Sequence, residues 1–137
     1  MVRVVGAAAT VDVEAGVIAL LRPVVPAGTV VATEIPRVKD TVTFPPRMVR
    51  VTRTTGTFQF SPAHDMPSVL VECWASPGPA ALQLAAECRK ALLELWNTPV
   101  GGAWYSHASE TSGLTNYPDP RTTHMRYQFV HQITVTA

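Results

Sequence analysis

The chain has 137 residues, of which 47% are hydrophobic and only 15% charged, and its formal net charge is +1. That length supports a core without disulfides or metal, since a chain of this size buries roughly 65 to 70% of its unfolded surface. Disorder is excluded. The charged fraction falls below the roughly 25% of an ordinary soluble domain, so much of the surface is either uncharged or covered by something else. A near-neutral chain also lacks the basic balance of a dedicated nucleic-acid binder.

Taken in chain order, a first helix is predicted from Thr10, with Thr10 as its cap, Asp12 and Glu14 in its first turn, and Val13, Val17, Leu20 and Leu21 at helical spacing. Arg22-Pro23 ends it. Thr29 to Ile35 is β-branched, lies between Gly28 and Pro36, and reads as a short strand. Met48 to Thr54 alternates Val49 and Val51 with Arg50 and Thr52, which predicts a half-buried strand. Gly56 to Met66 reads as a loop carrying Phe58 and Phe60, followed by Pro67 to Ser76, the most apolar strand, placed at the sheet centre.

A second helix is predicted to begin with Ser76 as cap and Pro77 in an early turn. Its apolar face comprises Leu82, Ala85, Cys88, Ala91, Leu92, Leu95 and Trp96, and Asn97-Thr98-Pro99 closes it. Ala103 to Tyr105 is a short, weak strand. The polar stretch after it, to Thr123, reads as a long loop, a feature usually tied to function or interaction. His124 to Thr136 alternates apolar and polar residues and predicts a long closing strand. The sum is a single α+β domain over residues 1 to 137: an antiparallel or mixed sheet of four to five strands, two helices packed on one face, and loop arms at about 54–66 and 106–123.

Residues 1 to 60 carry seven Lys/Arg against four Asp/Glu, and the remainder carries four against six. Arg37, Lys39, Arg47, Arg50 and Arg53 fall in one stretch with a single acid, Asp40. Such asymmetry suits either a solvated face or a contact patch for an acidic neighbour. Cys73 and Cys88 have neither metal-ligand nor CxxC spacing and read as small buried hydrophobes in a reduced compartment, although a disulfide between them is conceivable. The opening MVRVVGAAAT is too short an apolar run for a secretory segment, and no run approaches the ~18 to 20 residues of a membrane span, so export and membrane insertion are not expected.

Chemistry would have to come from His64-Asp65, His107, Glu110, His124 or His131. None sits in HExxH or beside a plausible nucleophile, and GxSxG, GxxxxGK[ST] and GxGxxG are all missing from the sequence. His131 falls between Phe129 and Ile133 at an inward register, where a hydrogen-bonded core histidine is expected. No catalytic, cofactor or metal residue is assigned.

The segments VEAGVIALLRPVVPAGTVVATEIP, PPRMVRVTRTTG, DMPSVLVECWASPGPAALQLAAECRKALLEL, SGLTNYPDP and RYQFVHQITVTA, in this order, cover most of the chain. In these the chain resembles tail terminator proteins of long-tailed bacteriophages, of the kind found in actinobacterial phages. The resemblance implies a non-enzymatic virion protein at the tail-neck junction, made in the host cytoplasm. Such a protein forms a ring, typically a hexamer, that caps the tail tube, ends its polymerisation and docks the head-completion or connector protein. DNA would cross its lumen transiently and without sequence preference. On that reading the subunit or partner interface would draw on Arg47, Arg50, Arg53, Phe58, Phe60, His64, Asp65, Tyr105, Tyr117, Asp119 and Arg121, with Arg50 and Arg53 paired to acids of a neighbour. A connector or stopper of the neck is the nearest alternative, and a small cytoplasmic ligand-binding domain or enzyme a more distant one.

Overall fold

A computed structural model describes residues 11–54 and 64–136. The first helix, α1 (Val13–Leu21), starts two residues later than a Thr10 cap implies: Asp12 is its cap, and the Asp12 Oδ1 accepts a hydrogen bond from the Ala15 N–H at 3.1 Å. A carboxylate there satisfies an otherwise orphan N–H at the positive end of the helix. Glu14, in the same turn, accepts from the Arg53 N–H at 2.8 Å and so ties the helix to the sheet.

The chain then forms β1 (Val30–Ala32), a hairpin of β2 (Arg37–Val38) and β3 (Thr41–Val42), β4 (Arg47–Thr54), β5 (His64–Asp65) and β6 (Ser68–Ala75). The helix α2 (Gly78–Leu93), β7 (Thr98–Val100), β8 (Ala103–Asn116) and β9 (Met125–Thr136) complete it. One large mixed sheet has the order β1-β4-β6-β9-β8-β7, and β5 also pairs with β9. Only β1 runs parallel to its neighbour, β4. The α+β class with two helices is therefore as the sequence predicts, but the sheet holds seven strands, more than the four to five anticipated.

The two additional strands of this sheet, β5 and β7, come from a segment that reads as loop and from the residues that read as closing the second helix, and the β2–β3 hairpin forms a separate two-stranded sheet. In the β2–β3 hairpin, Lys39 and Asp40 both take positive φ (50° and 65°), the backbone that a two-residue turn of primed type needs. The larger difference is β8, which runs on through Asn116, where the sequence suggests a loop from 106. Small polar residues on this strand lie against β9 with register shifts at three places, and nearly every second residue is solvent-exposed. The segment 117–123 does connect the strands without regular structure, and of the other predicted arm, residues 55–63 lie outside the described residues.

Alternation sorts the central strands into two faces. Val49 and Val51 of β4, Val69, Val71 and Cys73 of β6, and Phe129, Ile133 and Val135 of β9 meet Val13, Val17 and Leu21 of α1 and Leu84, Ala85, Cys88 and Leu92 of α2 in the main core. Both helices thus cover one face. The helix α2 is rotated from the predicted phase: Ala81 and Leu84 face inward, and Leu82 is exposed. Trp96 is 76% exposed because the helix ends at Leu93 and its period does not extend that far. Pro77, and not Ser76, occupies the cap position, without a side-chain hydrogen bond. On the opposite face a smaller cluster of Ile35, Met48 and Trp74 packs with Val42 and Phe44 beneath the hairpin.

Tyr105 closes the main core against α1. A Cβ built on Gly16 would lie 1.7 Å from the Tyr105 hydroxyl oxygen and 2.4 Å from its Cζ. Only a glycine lets the ring approach the helix this closely. Gly16→Ala gains up to about 1 kcal/mol of helix propensity, but overpacking costs typically ~1 to 3 kcal/mol and the overlap here is severe. The substitution should lower the urea midpoint, and adding Tyr105→Phe should restore only part of the loss, since the ring carbon remains too close.

Candidate functional site

The densest set of charged and aromatic side chains lies on the sheet face away from the helices. Glu72, on the central strand β6, is 2% exposed. Its Oε1 accepts from Arg50 of β4, at 2.8 Å from Nε and 2.7 Å from Nη2, and its Oε2 accepts from Nη1 of Arg126 of β9 at 3.0 Å. One carboxylate therefore joins three adjacent strands. Arg126 also donates to the carbonyls of Tyr117 (2.7 Å) and Pro118 (3.4 Å), which fastens the β8–β9 connection to the sheet.

Asp119 in that connection is 5% exposed and accepts from the Trp74 indole N–H at 3.1 Å and from Arg121 at 2.8 Å (Nη2) and 3.0 Å (Nε). The Arg121 hydrogen bonds hold the Asp119 carboxyl far below the usual carboxylate range against the opposing effect of burial. The guanidiniums also stack: Arg50 and Arg126 lie 5.7 and 5.6 Å from the Trp74 ring, Arg126 lies 5.0 Å from Tyr117, and Arg121 lies 5.6 Å from Phe44. His124 donates from Nε2 to the Pro45 carbonyl at 3.1 Å, which fixes its tautomer.

These contacts relocate several residues singled out from sequence. Arg50 and Arg53 each find an acid within the chain: Arg50 in Glu72, and Arg53 in Asp65, whose Oδ2 lies 2.7 Å from Arg53 Nη2. Both keep part of their side chain in solvent, 29% and 32%. Tyr105 is 1% exposed and belongs to the core, where burial first and then the Asp12 charge push its hydroxyl up to about 12. Asp65 and Asp119 are buried, whereas Arg47, His64, Tyr117 and Arg121 are exposed. Tyr117, Asp119 and Arg121 are brought together with Arg50; Arg53, His64 and Asp65 gather at the far end of β4 and β9. Phe58 and Phe60 lie outside the described residues. Glu72, Trp74 and Arg126 were missed because two charges on apolar strands look like exposed positions; the signal was the pairing of Arg50, Glu72 and Arg126 at one strand parity.

Behind the sheet, His131 is fully buried beside Phe129, and its Nε2 donates to Glu110 Oε1 at 3.2 Å, the hydrogen-bonded core histidine that its register predicts. Its Nδ1 has no partner among the described residues. Arg89 of α2 grips the same carboxylate through Nε and, at 2.8 Å, Nη2. These bonds lower the Glu110 pKa to about 2, while burial lowers that of His131 against the pull of Glu110. Cys73 and Cys88 are free and buried; burial first, and then the neighbouring Cys88, raises the Cys73 thiol. Among the described residues no group of three or more His, Cys, Asp or Glu could hold a metal ion, and no helix is long and apolar enough to cross a membrane.

Two outcomes follow from this wiring. Removing Glu72 leaves the Arg126 guanidinium, 11% exposed, with only the more distant Asp119 carboxylate, at 3.7 Å; breaking a buried pair outright costs about 3 to 5 kcal/mol, and with Asp119 remaining Glu72→Ala should cost somewhat less, yet shift the denaturation midpoint far more than Lys90→Ala on the exposed face of α2. The acid limb has a definite sign. Below about pH 6.5 the unfolded chain binds a proton that folded His131 refuses, and from about 4.5 down to about 2 the stabilisation from ionised Glu110 is lost. Urea midpoints should therefore fall as pH is lowered through both windows, with the lower limb shallower in Glu110→Gln.

No protein-family model matches this chain, and a search of curated proteins finds no match either.

Proposed function

We propose that this chain is a ring-forming assembly protein, specifically the terminator of a long-tailed bacteriophage tail. It would cap the tail tube, end its growth and offer a docking surface to the head-completion or connector protein. The observation that carries the assembly reading is the edge of β8. This strand has 14 residues, yet β7 pairs with it only from Ala103 to Tyr105, which leaves the outer edge from His107 to Asn116 unpaired among the described residues. That stretch contains one charged residue, Glu110, which is already engaged by Arg89 and His131. A long, nearly uncharged edge is a template for backbone pairing with another chain. Exposed Trp96, Trp104 and Tyr117 add apolar area of the kind enriched at interfaces.

The clefts on the surface fit this reading better than catalysis. One lined by Val11, Ala15, Val100 and Tyr105 and another lined by Val24, Glu87, Lys90 and Glu94 each hold about 280 Å³ and are shallow, below the roughly 300 to 1,000 Å³ of ligand pockets. The choice of a tail terminator among assembly proteins rests on the sequence resemblance. Electron microscopy of particles assembled without this chain tests it. Tails of uncontrolled length that fail to join capsids are expected; unjoined tails of normal length would replace the terminator reading with that of a connector.

A further inference from the structure

Beside the charged network, Glu34, Ile35, Arg37, Val42, Arg50 and Arg121 line a shallow cleft of about 220 Å³. We propose that this cleft binds a carboxylate side chain presented by an acidic segment of a partner protein. Its three guanidiniums come from three separate parts of the chain: β2, β4 and the β8–β9 connection. Two of them are held in place from behind. Arg50 spends Nε and Nη2 on Glu72, and Arg121 spends Nε and Nη2 on Asp119. A guanidinium carries five N–H donors, so each retains the two on Nη1, which make no hydrogen bond among the described residues.

The third, Arg37, is exposed and reaches only the Asp40 carbonyl, at 3.4 Å. Because Glu72 and Asp119 are buried, they orient the arginines without meeting a visitor themselves. The local balance of Arg37, Arg50, Arg121 and Arg126 against Glu34, Glu72 and Asp119 is four to three, an excess of one positive charge. Arginines locked by carboxylates lose little freedom on binding, and a planar carboxylate matches their donor geometry.

The accessible lining is mainly polar, with Ile35 buried at its base and Val42 adding a small apolar contribution. A polyanion fits poorly: the whole chain carries a net charge of +1, and the cleft itself is lined by the carboxylate of Glu34. The choice of a protein as the source of the carboxylate rests on the assembly reading; the cleft's preference for a single oxyanion does not.

The test is titration of the whole chain with a blocked hexaglutamate peptide at low ionic strength, followed by NMR chemical shifts, with inorganic phosphate and a short DNA duplex as comparison probes. Arg37→Gln should weaken peptide binding about two- to fivefold, as expected for loss of one exposed charge pair. Glu34→Gln, which removes the one carboxylate lining the cleft, should tighten it by a similar factor. Lys90→Gln on α2 should leave it unchanged. All three positions lie outside the buried network, so folding is retained and circular dichroism verifies it. No peptide binding, binding indifferent to both cleft variants, or tighter binding of phosphate or duplex than of peptide would each overturn the proposal. Normal tails in particles lacking the chain would instead defeat the terminator reading and leave these titrations standing.

Discussion

The carboxylate of Glu72 is the constraint on which the rest of the sheet depends. It sits on the central strand and bonds to both neighbouring strands, through Arg50 on one side and Arg126 on the other. Side chains alternate across a strand, so a slip of one residue in either pairing would turn an arginine into the apolar helix face and a valine out of it. The energetic penalty of that slip is the desolvation of an unpaired guanidinium. Glu72 thereby fixes register on the polar face while Val49, Val71 and Phe129 fill the helix face directly behind it.

From that register the second layer of the polar face follows. With Arg126 placed, its bonds to the Tyr117 and Pro118 carbonyls position the β8–β9 connection, and this delivers Asp119 to the Trp74 indole and Arg121 to the Phe44 ring. Arg50, Glu72, Asp119, Arg121 and Arg126 are thus mutually paired on one face. Much of the remaining surface, above all the β8 edge, is Ser, Thr, Ala and Gly, a composition that can be covered by another chain without burying unpaired charge. Low charge and a long open edge are two views of the same surface.

Much of the architecture was legible in the sequence where periodicity is strong. Alternation in β4, β6 and β9 and helical spacing in α1 and α2 identified the core strands and both helices, and the register of His131 identified a buried, bonded histidine. Legibility failed where side chains carry no hydrophobic signal. The residues from Ser106 to Asn116 form a strand because β9 offers a backbone ladder beside them, interrupted by three register shifts, not because their own side chains favour one. The phase error at Leu82 and Trp96 has a different origin: several apolar residues in α2 satisfy two overlapping faces, and only contact with β6 and β9 selects the one through Ala81 and Leu84.

By itself, then, the sequence determined the fold class, the strands and helices that carry alternating or helical apolar patterns, and the want of any recognisable catalytic or metal motif, because hydrophobic periodicity is a local property of the chain. The tertiary structure decided which charges are paired. Arg50 and Glu72 are 22 residues apart and Arg126 and Glu72 are 54 apart; no local pattern encodes such meetings, which exist only once strand order and register are set. It likewise turned Tyr105 from a candidate surface residue into the ring that seals α1 against the sheet. Arg50 and Arg53, which read as seeking acids on a neighbour, are each held in the folded chain by one of its own.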